Sequence, residues 1–250
     1  MARLTDDDTI ELRAELSNSP LQLEEPGKIS EALAQFVRPE RLERLKGVLS
    51  RRIRGVTALI EFVNNPHNTA ACVRSCDAFG IQDLHVVTQD GDPLKVALGI
   101  TKGAHRWLTI HTHETIEEAV KVLKQNGYHI AATDPGGEDR AAAPIEALPL
   151  EHKVCIAFGN ERDGISPTLR READSLTVIP MQGFVESFNI SVAFALCLHA
   201  TRRRFDEQYG GAGDLSETDQ NRILDRWFLD EVPQAMKVLK ELDRRVTEGS

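Results

Sequence analysis

The sequence lacks several features that would assign a chain to a class at once. No apolar run in its 250 residues approaches the roughly 18 that a transmembrane helix needs, and its start has neither the basic nor the apolar region of a signal peptide. Its four cysteines show no CxxC spacing and no neighbouring histidine cluster. We therefore expect a cytoplasmic protein with no membrane partner, no disulfide framework and no metal, in which the cysteines are small buried residues.

Two common nucleotide-binding motifs are also missing. Gly159 and Gly164 have the spacing of a phosphate loop, but no lysine followed by serine or threonine comes after them. No G-x-G-x-x-G follows a predicted strand. Nucleotide hydrolysis and nicotinamide chemistry are therefore not first choices.

Short β-branched runs alternate with helical stretches from Gly55 onward. The predicted strands are VTALIEFV, LHVVT, WLTIHT, YHIAAT, KVCIAFG and LTVIP, with helices expected at about 66–79 and 115–125. This alternation predicts an α/β fold with a mainly parallel sheet and helices on both faces. In such sheets a ligand binds at the carboxyl ends of the strands.

Three polar segments fall at those carboxyl ends. They are NPHNTAACVRSCDAFG (65–80), CIAFGNERDGISPTL (155–169) and VIPMQGFVESFNISVAFALCLH (178–199). In the third segment, Gly183 allows the backbone to turn. Residues 190–198 follow it and are expected to form a helix that is apolar on every side. We expect this helix to lie in a core or, as we favour, under a partner chain.

The polar residues of these segments also have plainer interpretations. Ser187 and Asn189 are good helix N-caps, because an oxygen at that position accepts a free backbone N–H. Ser166 and Pro167 form an N-cap with proline at the first helical position, and we interpret them as structural.

The first segment places Asn68 near a predicted helix start, where free N–H groups bind anions such as an RNA phosphate. Arg74 lies six residues further on, but helical side chains lean back toward the N-terminus, so its guanidinium could approach that site. Alternatively, Arg74 pairs with Asp77 or Asp83 and has a structural role.

The net charge of −9 argues against a nucleic-acid partner, but the charge is unevenly distributed. Residues 38–54 carry seven basic and two acidic side chains, and the leucines among them have helical spacing. We predict a basic amphipathic helix there, with a solvated helix face as the alternative to an RNA-binding surface. The RNA-binding candidates are Arg41, Arg44, Lys46, Arg51, Arg52 and Arg54.

The three segments, in this order, resemble the three motifs of the SPOUT class of RNA methyltransferases, and most of all the TrmH/SpoU family of ribose 2′-O-methyltransferases. The resemblance runs from about Arg38 to about Arg204. It implies methylation of a ribose 2′-hydroxyl in tRNA by S-adenosylmethionine, with guanosine 18 of the D-loop as the target. Methylation of rRNA or of a tRNA wobble nucleotide, and RNA binding without catalysis, remain as alternatives.

The same resemblance implies roles for individual residues. Arg74 matches the arginine that is essential in the family, and we expect it to stabilise charge on the reacting oxygen, because a guanidinium normally stays protonated. The implied catalytic residues are Asn68, Arg74, Glu161, Ser187 and Asn189. The implied cofactor-binding residues are Thr133, Gly159, Ile179, Met181, Ser187, Asn189 and Ile190.

The resemblance also implies a deep trefoil knot through roughly 155–206 and a homodimer formed by the first and last helices of the catalytic domain. With the composition, it predicts four regions along the chain. They are an acidic flexible tail (1–28), a basic helical RNA-binding extension (29–54), the SPOUT methyltransferase domain (55–206) and a C-terminal helical extension (207–250).

Overall fold

A computed structural model describes residues 21–62, 65–88, 93–160 and 162–248, except the side chains at 93, 95 and 96. The proposed catalytic residue Glu161 and residues 1–20 of the expected tail lie outside the described residues. The chain divides into two compact units: Arg52–Asp214, and the described parts of 1–51 and 215–250 together. The expected domain boundaries were 55 and 206.

The helices and strands alternate through most of the chain. The helices are α1 Lys28–Leu33, α2 Pro39–Leu49, α3 Pro66–Phe79, α4 Pro93–Gly99, α5 Ile116–Gln125, α6 Pro167–Glu172, α7 Ile190–Tyr209, α8 Glu217–Glu231 and α9 Ala235–Glu248. The strands are β1 Val56–Glu61, β2 Asp83–Val87, β3 Thr109–His113, β4 Tyr128–Thr133, β5 Ala142–Pro144, β6 Lys153–Phe158 and β7 Ser175–Val178.

The strands of the unit 52–214 form one sheet in the order β3-β2-β1-β6-β4-β7-β5. Every neighbouring pair is parallel, with Ile60 of β1 opposite Phe158 of β6 and Ala131 of β4 opposite Ile156. The prediction of a parallel α/β sheet is therefore confirmed. Strand β5 was not predicted, because its sequence AAP is short and ends in proline.

Two hydrophobic cores cover the two faces of the sheet. On one face Ile60 and Ile156 pack with Val73 of α3 and Phe194 of α7. On the other face the cluster includes Leu59 and residues of α5 and α6. Burying each large apolar side chain stabilises the fold by about 1.5–3 kcal/mol, so both helical layers hold the sheet in place.

Local signals in the sequence account for the position of α3. The side chain of Asn65 accepts a hydrogen bond from His67 N at 2.9 Å, and Pro66 occupies the first helical position. Gly80 ends the helix with φ of 70°, a conformation that favours glycine. The four cysteines, at 72, 76, 155 and 197, are buried as expected.

The second unit joins the two ends of the chain. The backbone N–H groups of Gly27 and Ser30 both donate to the buried carboxylate of Asp225 in α8, each at 2.8 Å. Asp225 thereby caps α1, whose own N-cap residue is a glycine. Leu23, within the expected flexible tail, is fully buried.

The predicted basic helix over 38–54 was wrong at its C-terminal end. Helix α2 stops at Leu49, and Ile53 pairs with Ile81 through Ile53 N–Gly80 O and Gln82 N–Ile53 O bonds of 2.9 Å each. This pairing extends the chain before β1, so Arg52 and Arg54 do not continue the helix.

Among the described residues, no helix combines the length and apolar character required to cross a membrane.

Candidate active site

A pocket of about 680 Å³ lies at the carboxyl ends of β4, β6 and β7, beside the start of α7. That volume lies within the usual range for a small-molecule site. All seven predicted cofactor-binding residues line it: Thr133, Gly159, Ile179, Met181, Ser187, Asn189 and Ile190. Residues from separate parts of the sequence are therefore brought together, while their role toward a cofactor stays a prediction.

The loop that follows β6 forms one wall of the pocket. Asn160 and Gly164 exchange two backbone hydrogen bonds of 3.0 and 3.2 Å, and the Asn160 side chain accepts from Arg162 N and Asp163 N. A Cβ atom at Gly159 would lie 2.0 Å from the carbonyl carbon of Gly164. The wall therefore requires glycine at 159, because any side chain there would displace backbone.

The segment before α7 forms the opposite wall and separates the roles of Ser187 and Asn189. Asn189 caps α7, since its Oδ1 accepts hydrogen bonds from Ser191 N at 2.9 Å and Ser191 Oγ at 2.6 Å. Ser187 makes no hydrogen bond within the described part of the chain. The capping interpretation is thus confirmed for Asn189 and wrong for Ser187, although both side chains line the pocket.

Asn68 connects the first polar segment to the third. Its Oδ1 accepts a long hydrogen bond of 3.5 Å from Asn189 Nδ2. This contact places the start of α3 beside the start of α7, next to the pocket.

Arg74 is exposed on α3, and the structural interpretation of this residue was wrong. Asp77 is bound by Arg52, and Asp83 accepts hydrogen bonds from Arg54 Nε at 2.7 Å and contacts His111 Nε2 at 2.8 Å. Arg74 makes no hydrogen bond or ion pair within the described ranges. Nor does it line the pocket of its own chain.

Acidic side chains contribute most of the charge around the pocket. Of the residues that the structure describes, Asp134, Asp163 and Glu186 line it together with one basic residue, Arg162. Asp134 is held by Arg170 and by Gly136 N, which donates at 2.7 Å. Sequence reasoning missed Asp134, and its position directly after Thr133 at the carboxyl end of β4 is a signal that could have found it.

The RNA-binding candidates differ in accessibility. Arg52 is only 1% exposed, and its guanidinium binds Asp77 and the Ile81 carbonyl, so its assignment to an RNA-binding surface was wrong. Arg41 forms a bidentate pair with Glu231, both bonds at 2.8 Å. Arg44, Lys46 and Arg51 are exposed. Counting charges along the sequence could not reveal these distant carboxylate partners.

No group of three or more His, Cys, Asp or Glu side chains in the described part of the chain is arranged to hold a metal ion.

Residues 55–199 match the SpoU rRNA Methylase family. The chain belongs to this family. The resemblance seen in the three polar segments is therefore confirmed over more than half of the sequence.

Relatives of this SpoU family chain match it over most of their own length. The tRNA (guanosine(18)-2'-O)-methyltransferase of Aquifex aeolicus is 32% identical over 203 residues, covering 81% of this chain and 95% of that protein. The protein of the same name from Escherichia coli K12 is 34% identical over 191 residues, covering 74% and 81%. The crystal structure of the Aquifex aeolicus TrmH/SpoU tRNA modifying enzyme superposes with a TM-score of 0.70 at 32% identity, covering 78% of this chain and 98% of that one.

Proposed function

We propose that this SpoU family chain transfers a methyl group from S-adenosylmethionine to the ribose 2′-hydroxyl of guanosine 18 in tRNA. The observation that carries the proposal is the convergence of all seven predicted cofactor-binding residues on one pocket. The two relatives described above are named for the same reaction.

The residues around the pocket fit this cofactor. Ile179, Met181 and Ile190 offer apolar surface to an adenine ring, and the absence of a side chain at Gly159 lets the backbone of Gly164 pack closely to form the wall beside it. Asp134, Asp163 and Glu186 give the pocket a negative balance that suits a cationic ligand. When bound, S-adenosylmethionine supplies an activated methyl group on its sulfonium, and the thioether that leaves is neutral.

The chain's own residues then have to align the ribose and stabilise its oxygen. We assign alignment to Asn68, Ser187 and Asn189, which surround the starts of α3 and α7, and a positioning role to Glu161. The Arg74 guanidinium stabilises the negative charge that develops on the 2′-oxygen as its proton leaves. Because the 2′-hydroxyl distinguishes RNA from DNA, the reaction also defines the class of substrate.

Arg74 reaches a pocket in this proposal only within a homodimer. Helices α3 and α7 pack side by side, and α7 exposes Val192 and Leu196 along one face. Phe184 is fully exposed in the segment before α7. A second copy that covers this apolar surface would bring its own Arg74 toward the pocket.

Other parts of the proposal rest on family membership and on the substrate. Membership in the family supports the deep trefoil knot that we propose through roughly 155–206. The proposed tRNA substrate supports a cytoplasmic location. Contacts to tRNA are assigned to the exposed Arg44, Lys46 and Arg51.

The test is mass spectrometry of nucleosides from unmodified tRNA transcripts incubated with the protein and isotopically labelled S-adenosylmethionine. We expect one labelled 2′-O-methylguanosine, mapped to nucleotide 18. Label at another nucleotide, or no label in the tRNA although S-adenosylmethionine binds, would favour the alternative substrates. RNA retention without heat of binding for S-adenosylmethionine would instead favour a non-catalytic RNA-binding protein.

A further inference from the structure

Strand β1 ends in a carboxylate that the proposed reaction does not use. All six residues of β1 are buried, and Glu61, the last of them, is 1% exposed. A buried carboxylate costs free energy unless hydrogen bonds or charges compensate it. Its position at the carboxyl end of the strand therefore calls for a specific partner.

The partner of Glu61 is the backbone at the end of the loop after β6. Glu61 Oε2 accepts a hydrogen bond of 2.8 Å from Ser166 N, 105 residues further along the chain. Glu61 Oε1 has no hydrogen-bond partner within the described ranges. Ser166 is itself fixed as the N-cap of α6, because its Oγ accepts from Leu169 N at 3.0 Å.

This contact lets one strand hold both ends of the pocket wall. The wall begins directly after Phe158, which pairs with Ile60 of β1. It ends at Ser166, which is bound by the next residue of β1, Glu61. Between these points, five of the described residues line the pocket: Gly159, Asn160, Arg162, Asp163 and Gly164. Two adjacent residues of β1 therefore define the span that the loop has to close.

We propose that Glu61 is a positioning residue for cofactor binding, which acts through the loop 159–166 and touches no reacting atom. The identity of the cofactor in this inference rests on the proposed function. The essential feature is an oxygen that accepts from Ser166 N, since a preorganised loop loses less conformational freedom when a ligand binds. Removing the acceptor releases the end of the wall and leaves a partly buried N–H without its hydrogen-bond acceptor.

The test compares Glu61→Ala and Glu61→Gln with the unchanged protein by calorimetric titration with S-adenosylmethionine. We expect Glu61→Ala to weaken binding about tenfold or more, because the loop must be ordered again on binding. Glutamine keeps a carbonyl oxygen at this position, so Glu61→Gln should stay within about threefold of the unchanged protein.

Asp174→Ala is a matched control. Asp174 Oδ2 accepts from Ile130 N at 2.8 Å, which is also a carboxylate bond to a distant backbone N–H, but it lies at the amino end of β7 and away from the pocket lining. Its loss should lower the unfolding temperature without changing cofactor affinity. Equal affinities of Glu61→Ala and the unchanged protein would overturn the inference. Absence of binding by the unchanged protein would instead overturn the proposed function.

A measurement on the unchanged protein covers the case in which Glu61→Ala does not fold. Hydrogen exchange of the Ser166 amide, and of the amides at 162–164, should slow when S-adenosylmethionine is added. Exchange of the Ile130 amide, which is held by Asp174, should not change. If cofactor binding leaves Ser166 and the loop as rapidly exchanging as before, the wall is not coupled to the cofactor and the role of Glu61 is refuted.

Discussion

Polar side chains gather in two regions of the unit 52–214: on one face of β2 and β3, and at the carboxyl ends of β4, β6 and β7. In the first region they bind one another, with His85 Nδ1 2.9 Å from His113 Nε2 and His111 Nε2 2.8 Å from Asp83. In the second region Asn189 Oδ1 is bound by Ser191 and Asn189 Nδ2 reaches Asn68 only at 3.5 Å, but Ser187 makes no hydrogen bond within the described ranges. Mutually bound polar groups hold strands together, whereas groups that face a cavity remain available to a ligand.

The same contrast separates the arginines. Arg52 and Arg54 are bound to Asp77 and Asp83, so their charges are used within the fold. Arg74 lies on the same helix as Asp77 but is exposed and unbound within the described residues. The residue type alone therefore does not identify a functional arginine. Whether its guanidinium is already bound to a carboxylate of the fold is the more informative property.

The largest effect is expected from Arg74→Ala. Removing a group that stabilises charge on the reacting oxygen should lower kcat roughly 10²–10³-fold, while the affinity for S-adenosylmethionine stays nearly unchanged. Arg171→Ala removes an exposed arginine that pairs with its neighbour Glu172 and should have no effect on either quantity. Methyl-transfer assays measure kcat, and calorimetry measures the affinity for S-adenosylmethionine. Full turnover of Arg74→Ala would remove this residue from the mechanism.

The second-largest effect is expected from Gly159→Ala. This variant tests whether the pocket needs the close approach of the Gly159 and Gly164 backbones. The added Cβ would lie 2.0 Å from Gly164, so the wall must shift and the free energy of unfolding should fall by about 1–3 kcal/mol. Cofactor binding should be lost at the same time. Gly99→Ala is the control, because nothing lies within 4 Å of its Cβ. Denaturant unfolding and calorimetry provide the measurements, and unchanged binding would contradict the geometry.

The histidine region should make stability depend on pH. Burial, followed by the charges of His111 and His113, lowers the pKa of His85 from 6.5 to about 3, and burial also lowers that of His113. The unfolded chain then binds more protons than the folded one, so stability is complete above about pH 6.5 and falls as the pH drops toward 3.

For His85 alone, this loss should be about 2 kcal/mol at pH 5, an order-of-magnitude figure. Urea unfolding at pH 7 and pH 5 measures it. His85→Leu should show a smaller difference between the two pH values, because it removes the proton-binding group. An equally steep loss in this variant would mean that other groups dominate.

The smallest effect is expected on the surface of α2. Replacing Arg44 and Lys46 with alanine should weaken tRNA binding and reduce the slope of log affinity against log salt by up to about 2. Replacing Lys121 and Arg171 instead removes the same charge from α5 and α6. Filter binding at several salt concentrations compares the two proteins. Equal slopes would mean that the tRNA lies elsewhere.

The sequence was most informative where a local pattern has a local cause. Helix α3 was predicted at 66–79 because Asn65, Pro66 and Gly80 are start and stop signals that act within a few residues. The seven pocket residues were identified by resemblance to a family, which needs no knowledge of their contacts. The C-terminal end of α2 was predicted wrongly, because the pairing of Ile53 with Ile81 depends on a residue far along the chain.

By itself, the sequence determined the parallel α/β sheet, the three polar segments and membership in the SpoU family, because periodicity, caps and motifs are written in neighbouring residues. Only the tertiary structure decided which polar groups are already occupied. It buried Arg52 against Asp77, left Arg74 exposed, and placed Glu61 against Ser166. These outcomes depend on the distances between strands and helices that are remote in sequence, and no local pattern encodes such distances.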